Sequence, residues 1–189
     1  MDKTAIRKFA ERAREKLIED IKYKAGTVGI TENGIAEKLP QSTSDAYFYD
    51  VGTKDYTKIS GIEIKQRDAL VKAIQTKECS YKNYQEAFEN VIEEVAYTWF
   101  NRLIAIRFME VNDYLPSGVR VLSSENKAKK EPDLVTTPFD TDLEFTSYEQ
   151  DRIIQLKDDN KLDELFRMLF IKQCNKLHDI LPELFEKTD

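Results

Sequence analysis

Hydrophobic residues recur at three- and four-residue steps along most of this chain, which is the spacing that lines one face of a helix. In the first segment the apolar positions are Ile6, Phe9, Ala13, Leu17, Ile21 and Ala25. This spacing predicts a long helix over residues 4–28, with Gly26 and Gly29 marking its end.

The pattern is least regular over residues 29–61, where four glycines argue against one continuous helix. Within it, the aromatic stretch 45–51 lies between turn-forming residues and predicts a short strand or an extended docking segment. Apolar spacing then returns, and it predicts a second helix over residues 63–77.

The third predicted helix, residues 82–112, is the longest and the most apolar. Between Val95 and Met109 its polar residues are Thr98, Asn101, Arg102 and Arg107. A helix that is apolar around most of its circumference is typically covered on several sides, so we expect it at the centre of the fold.

Residues 125–145 contain Lys127, Lys129, Lys130, Pro132, Thr136, Thr137 and Pro138, a turn and linker composition that predicts a loop. Two further helices are predicted over residues 148–157 and 161–181. The fold class expected for residues 1–189 is therefore all-α. It is one helical domain, a multi-helix bundle around a long central apolar helix, with a less regular segment at about 29–61.

Composition narrows the class of protein. Among 189 residues 41% are hydrophobic and 34% are charged, and there are only six glycines and five prolines, which argues against a β-sandwich, a collagen-like fibre or a disordered tail. Cys79 and Cys174 fit free thiols in a reducing cytoplasm. No apolar run approaches the ~18 residues of a membrane span, so we expect a cytoplasmic protein without a membrane partner.

Charge is distributed unevenly along the chain. Residues 1–28 carry eight bases and five acids, a net charge of +3, whereas residues 131–189 carry seven bases and fifteen acids, a net charge of −8. An anionic partner would be attracted to the N-terminal end. Alternatively, the two ends attract each other, or both are ordinary solvated faces.

The first predicted helix carries a row of three basic residues. Lys8, Arg12 and Lys16 are spaced i, i+4 and i+8 on the first predicted helix, and like charges at that spacing destabilise an isolated helix. The row therefore needs a partner. Either nearby acids such as Glu15, Glu19 and Asp20 supply it, or the row contacts DNA phosphates, without sequence specificity.

A metal-dependent nuclease is a weaker hypothesis. Glu63 and Lys65 form an acid-x-lysine pair that many such nucleases present on a strand, with Asp50 and Asp55 as further metal ligands. The alternative is that Glu63 occupies the first turn of a helix, where acids are favoured.

Other chemistry is sparse. Cys174 and His178 are four residues apart and form at best half of a zinc site, so packing is the expected role. Arg102 and Arg107 in the apolar helix are expected to form ion pairs with Glu94, Glu110 or an acid of the C-terminal third; the alternative is an exposed end of the helix that binds an anion. The chain contains no Gly-x-Gly, P-loop or Gly-x-Ser-x-Gly motif, so the residues alone form no catalytic constellation.

Residues 93–116 carry a family resemblance, with the sequence Glu93-Glu-Val-Ala-Tyr-Thr-Trp-Phe-Asn-Arg-Leu-Ile-Ala-Ile-Arg-Phe-Met-Glu-Val-Asn-Asp-Tyr-Leu-Pro116. This stretch resembles the N-terminal part of the PglX family, the large adenine-specific DNA methyltransferases of BREX phage-defence systems, often described as type II restriction enzyme methylase subunits. Weaker similarities occur in residues 3–5, 29–31, 120–124, 170–175 and 180–185.

The resemblance implies a much longer enzyme that binds S-adenosylmethionine through a Gly-containing loop and holds a flipped adenine with an Asn-Pro-Pro-Tyr motif. Neither motif occurs in these residues, so no catalytic, cofactor-binding or metal-binding residue is assigned. We expect the leading helical domain of such an enzyme, cut at its C-terminal end. The residues that match the family most closely are expected to hold the domain together: Trp99, Asn101, Arg102, Arg107, Phe108 and Glu110.

The preferred hypothesis is thus a non-catalytic domain that helps to position DNA or docks onto the catalytic domain of the same chain. In this hypothesis S-adenosylmethionine and the DNA belong to the full-length protein. A second hypothesis is a module that binds other defence-system proteins through the acidic C-terminal third. The nuclease centred on Glu63 and Lys65 is the third.

Overall fold

The computed structural model describes residues 3–185, and most of them are helical. The helices are α1 (Lys3–Thr27), α2 (Ile62–Glu78), α3 (Tyr84–Val111), α4 (Asp133–Thr136), α5 (Ser147–Asp158) and α6 (Leu162–His178), with a 3-10 turn at Pro138–Asp140. The strands are β1 (Ile30–Thr31), β2 (Gly34–Ile35), β3 (Ala46–Tyr49) and β4 (Thr57–Ser60). In the described part of the chain, no helix combines the length and apolarity needed to cross a membrane.

The irregular segment folds as two antiparallel hairpins, which corrects the all-α prediction to a largely helical fold. β1 pairs with β2, and β3 pairs with β4 in the register Ala46–Ser60 to Tyr49–Thr57. Most of the aromatic stretch is therefore a short strand, which is the first of the two predicted alternatives. Its side chains suit a half-buried pleated surface, since only Tyr49 of β3 is fully buried.

The predicted loop at residues 125–145 is also partly wrong, because α4 and the 3-10 turn lie within it. Leu134 and Val135 are buried there. Burial of this apolar pair stabilises a helical turn in a segment whose composition is typical of loops.

The chain divides into two compact units, Met1–Phe100 and Asn101–Asp189. The core of the first unit brings together apolar residues from α1, β1, α2 and the first part of α3. Its buried members are Ala25, Ile30, Ile74, Ala87, Phe88, Val91 and Ile92.

A buried arginine joins the hairpins of the first unit to α2. Arg67 donates from Nε to the Val28 carbonyl (2.9 Å) and from Nη2 to the Ala36 carbonyl (2.8 Å). Its guanidinium carbon also lies 3.8 Å from the centre of the Tyr49 ring. These contacts satisfy a cation that would otherwise be costly to bury.

Gly29 makes this arrangement possible. Its φ is +75°, and a Cβ there would lie 2.7 Å from the Ala36 Cβ. Any larger residue would push apart the two segments that Arg67 holds together.

In the second unit α6 packs against α4 and α5. The fully or nearly buried side chains include Ile106, Leu134, Ile153, Leu156, Leu165, Leu169, Phe170 and Leu177. At the start of α5, Thr146 and Glu149 form a reciprocal capping box, and Glu149 also receives a hydrogen bond from Lys172 on α6 (2.6 Å). The contact between Lys172 and Glu149 therefore holds the start of α5 against α6.

The prediction of a long central apolar helix, covered on several sides, is not confirmed. α3 is the longest helix, and its bounds lie within two residues of the prediction. However, several of its apolar side chains are exposed, namely Tyr97, Ile104, Phe108 and Val111. An apolar spacing alone does not distinguish a covered face from an uncovered one.

Candidate functional site

The basic row lies on the first half of α1, where Lys8, Arg12 and Lys16 are all exposed. Helical geometry places successive members one turn apart, about 6 Å along the axis. Ile6 and Phe9 are also exposed on these turns. α1 joins the core of the first unit only from its second half, through Ile18, Ile21 and Ala25.

The members of the row differ in their partners. Lys16 Nζ lies 2.7 Å from Asp20 Oδ1, and this hydrogen bond and the negative charge raise the pKa of Lys16. Within residues 3–185, neither Lys8 nor Arg12 has a hydrogen-bond or ion-pair partner. Asp20 is thus the one nearby acid that pairs with the row. Two of the three cations in the row remain available to bind an anion.

The neighbouring arginines of α1 are occupied. Arg7 pairs with Glu11 (3.0 Å), and Arg14 pairs with Glu93 of α3 (3.1 Å). The free positive charge on these turns therefore lies along the row and not around the whole helix.

Among the family-motif residues, Glu110 is the best connected. Its side chain is fully buried, and Oε1 accepts hydrogen bonds from the backbone N–H groups of Leu122 (2.5 Å) and Ser123 (3.2 Å). Its Oε2 pairs with Arg107 Nη1 (2.8 Å), which also donates to Ser123 Oγ (3.1 Å). The carboxylate thus ties the last turn of α3 to the segment that follows it.

The predicted ion pairs are confirmed for Arg107, which uses Glu110. Glu94 instead pairs with Lys77, at 2.5 Å. Arg102 is buried. Its positive charge lowers the pKa of the Cys174 thiol and so partly offsets the increase that burial causes. Trp99 is half-buried. The contacts of Arg107 and Glu110 support the structural role expected of them.

Asn101 and Phe108, the remaining motif residues, line an open apolar groove of about 560 Å³. Phe108 is 60% exposed and makes an edge-to-face contact with Tyr114, with ring centres 5.9 Å apart. The large apolar side chains of the groove are Ile104, Phe108, Met109, Tyr114, Leu181 and Leu184. This groove was not predicted; in the sequence, the apolar residues that continue past Pro182 are a signal for it.

The nuclease hypothesis fails on geometry. Glu63 lies in the first turn of α2 and not on a strand, and its Oε2 accepts a hydrogen bond from the Ser60 backbone N–H (3.3 Å). Asp50 is engaged in a local turn with Gly52 (2.9 Å), and Lys65 is exposed. The described residues contain no cluster of three or more His, Cys, Asp or Glu that could hold a metal ion.

Cys174 packs in the interior, as expected, whereas His178 is half-buried. Cys174 is buried, and burial raises the pKa of its thiol to about 12. His178 contacts the backbone carbonyl of Phe185 through Nδ1.

Comparison with known proteins confirms the resemblance to PglX. The whole chain aligns at 47% identity with adenine-specific methyltransferase PglX of Lacticaseibacillus casei (strain Zhang), over 16% of that protein. It aligns at 29% identity with adenine-specific methyltransferase BrxX of Escherichia coli O9:H4 (strain HS), over 15%. The chain thus spans about one sixth of these relatives. No protein-family model matches it.

Proposed function

We propose that this chain is the non-catalytic N-terminal helical domain of an adenine-specific DNA methyltransferase of a BREX-type phage-defence system, acting in the cytoplasm. The observation that carries the proposal is the 47% identity along the whole chain to a protein of that activity, of which the chain spans 16%. S-adenosylmethionine and the adenine would be bound by the rest of the full-length polypeptide.

In this proposal the domain positions DNA through the basic row of α1. Lys8 and Arg12 are exposed cations whose side chains have no partner within residues 3–185, so they can neutralise phosphates without first breaking an internal ion pair. Residues 1–28 have a net charge of +3, which favours the approach of DNA to this end of the chain. Phosphate contacts carry no sequence information, so the row would hold the duplex while other groups select the site.

The test is methyl transfer by the full-length protein that carries this chain. Replacing Lys8 and Arg12 by alanine is expected to raise the KM for DNA at least tenfold in low salt, with kcat and the affinity for S-adenosylmethionine unchanged. Lys54→Ala with Lys65→Ala is a matched control, because both lysines are exposed in the same unit but lie outside the row. An unchanged KM for DNA would contradict the proposal.

A second candidate function is a module that binds other defence-system proteins. The observation that favours it is the second unit, which combines an exposed apolar groove with the acidic segment 131–189 of net charge −8. If this candidate is right, the isolated chain binds no DNA duplex even at 50 mM salt, and substitutions in the basic row leave its protein interactions intact.

A further inference from the structure

The groove of the second unit is an apolar surface that nothing in the described chain covers. Ile104, Phe108, Tyr114, Leu181 and Leu184 are all exposed around it. Contiguous patches of large apolar side chains on a monomer mark sites where another surface binds. The volume of about 560 Å³ suits two or three large side chains of a partner.

The wall of the groove is held in place before anything binds. Phe108 and Met109 lie directly before Glu110, whose buried carboxylate ties this turn of α3 to Leu122 and Ser123. Tyr114 packs edge-to-face on Phe108. A preformed apolar surface loses little conformational entropy when a partner binds, which favours docking.

The charged residues next to the groove in sequence are mainly acidic. Asp113 directly precedes Tyr114, and Asp179 and Glu183 lie within two residues of Leu181 and Leu184. All three are exposed. Of the nearby cations, Arg107 is paired with Glu110, and Arg120 lies 4.0 Å from Asp113, so Asp179 and Glu183 supply the acidic charge of the rim. A partner with lysine or arginine beside its apolar residues therefore matches this rim.

We propose that the groove docks the methyltransferase part of the same polypeptide, through a segment that presents two or three large apolar side chains flanked by basic residues. This inference rests on the proposed function. About five sixths of each relative lies outside the match, so a large body of chain is available to cover the groove. A covalently joined segment acts at high effective concentration, so a groove of this size suffices to hold it.

The test uses a defined probe, namely the L. casei PglX polypeptide without the part that aligns with this chain. Calorimetric titration into the 189-residue chain is expected to give a one-to-one complex. Phe108→Asp should weaken that complex at least about 30-fold, because it places a charge on the apolar lining of the groove. Leu184→Asp, at another lining residue, should do the same. Asp179→Asn with Glu183→Gln should reduce the salt dependence of binding.

A matched control is Tyr148→Asp, which introduces the same charge at an exposed aromatic residue on α5, outside the groove. It should leave the affinity unchanged, and circular dichroism should show that all variants remain folded. The inference is overturned if the wild-type chain does not bind the probe, or if Phe108→Asp binds as tightly as wild type. It is also overturned if light scattering shows that Phe108 instead mediates pairing of two copies of this chain.

The two proposals fail separately. Phe108→Asp is expected to leave the affinity of the isolated chain for DNA unchanged, since Phe108 and the basic row belong to different units. Loss of docking with intact DNA binding would refute only the inference about the groove. Intact docking without any DNA binding would refute the DNA-positioning role.

Discussion

The ammonium nitrogen of Lys16 lies 2.7 Å from a carboxylate oxygen of Asp20, whereas within residues 3–185 no such partner faces Lys8 or Arg12. The three cations look equivalent in the sequence, yet one of them is already neutralised by its neighbour. An exposed pair of this kind adds little to stability, but it competes with any other anion for the lysine.

Asp20→Asn should therefore strengthen DNA binding by the chain. The substitution frees Lys16 to neutralise a further phosphate, which steepens the slope of log K against log salt by about 0.9. Fluorescence anisotropy with a 20-base-pair duplex, between 50 and 200 mM salt, measures this slope. Glu32→Gln is the matched control, because it removes an exposed acid elsewhere in the first unit. An identical slope for Asp20→Asn and wild type would contradict this use of Lys16.

Glu110→Ala should destabilise the second unit by about 2–4 kcal/mol, because it removes the acceptor of two backbone N–H groups in a buried place. Arg107→Ala should cost less than about 1 kcal/mol, since this arginine is half-exposed and its pair is partly solvated. Urea unfolding followed by circular dichroism gives both free energies. If both substitutions lower the free energy of unfolding equally, the hydrogen bonds from the backbone N–H groups to Glu110 are not its main contribution to stability.

The two thiols should react at very different rates. Cys79 is exposed, whereas burial raises the pKa of Cys174 to about 12, so Cys174 holds almost no reactive thiolate at pH 8. Titration with a thiol reagent should count one cysteine in the folded chain and two in urea, and Cys79→Ser should remove the fast one. Rapid modification of Cys174 in the folded state would contradict its burial.

Because of Glu149, the free energy of unfolding should depend on pH in the acidic range. The hydrogen bond from Lys172, together with the backbone N–H of Thr146, lowers the pKa of this carboxyl below its ordinary 4.5 in the folded state. The ionised form therefore stabilises the fold above pH 4.5, and that contribution is lost as the pH falls through the lower, folded-state pKa.

The matched variant is Glu149→Gln, which preserves a residue of the capping-box type but cannot ionise. Its free energy of unfolding should lie below that of wild type at pH 7, and the gap should narrow towards pH 3. A gap that stays constant over this range would rule out the ionised carboxylate as its source.

Local patterns were the ones that could be read from the sequence. Every long helix begins and ends within about three residues of its prediction, because apolar spacing and chain breakers act within a few turns. The pairing of Arg107 with Glu110 was also predictable, since i and i+3 positions are neighbours on a helix.

Features that depend on distant residues were not predictable. The partners of Arg67 are carbonyls 31 and 39 residues away, so no local signal marks its burial. The groove was missed because Phe108 and Ile104 keep the same helical spacing as core residues, and spacing does not tell whether another element covers a face. The hairpins depend on a strand register that turn composition alone leaves open.

The proposed contact of Lys8 and Arg12 with DNA phosphates is tested by the salt dependence of DNA binding by the 189-residue chain. With a 20-base-pair duplex, Lys8→Ala with Arg12→Ala should flatten the slope of log K against log salt by about 1.8, whereas Lys54→Ala with Lys65→Ala should leave it unchanged. A slope that is the same in both double variants, or no binding by the wild-type chain, would contradict the claim.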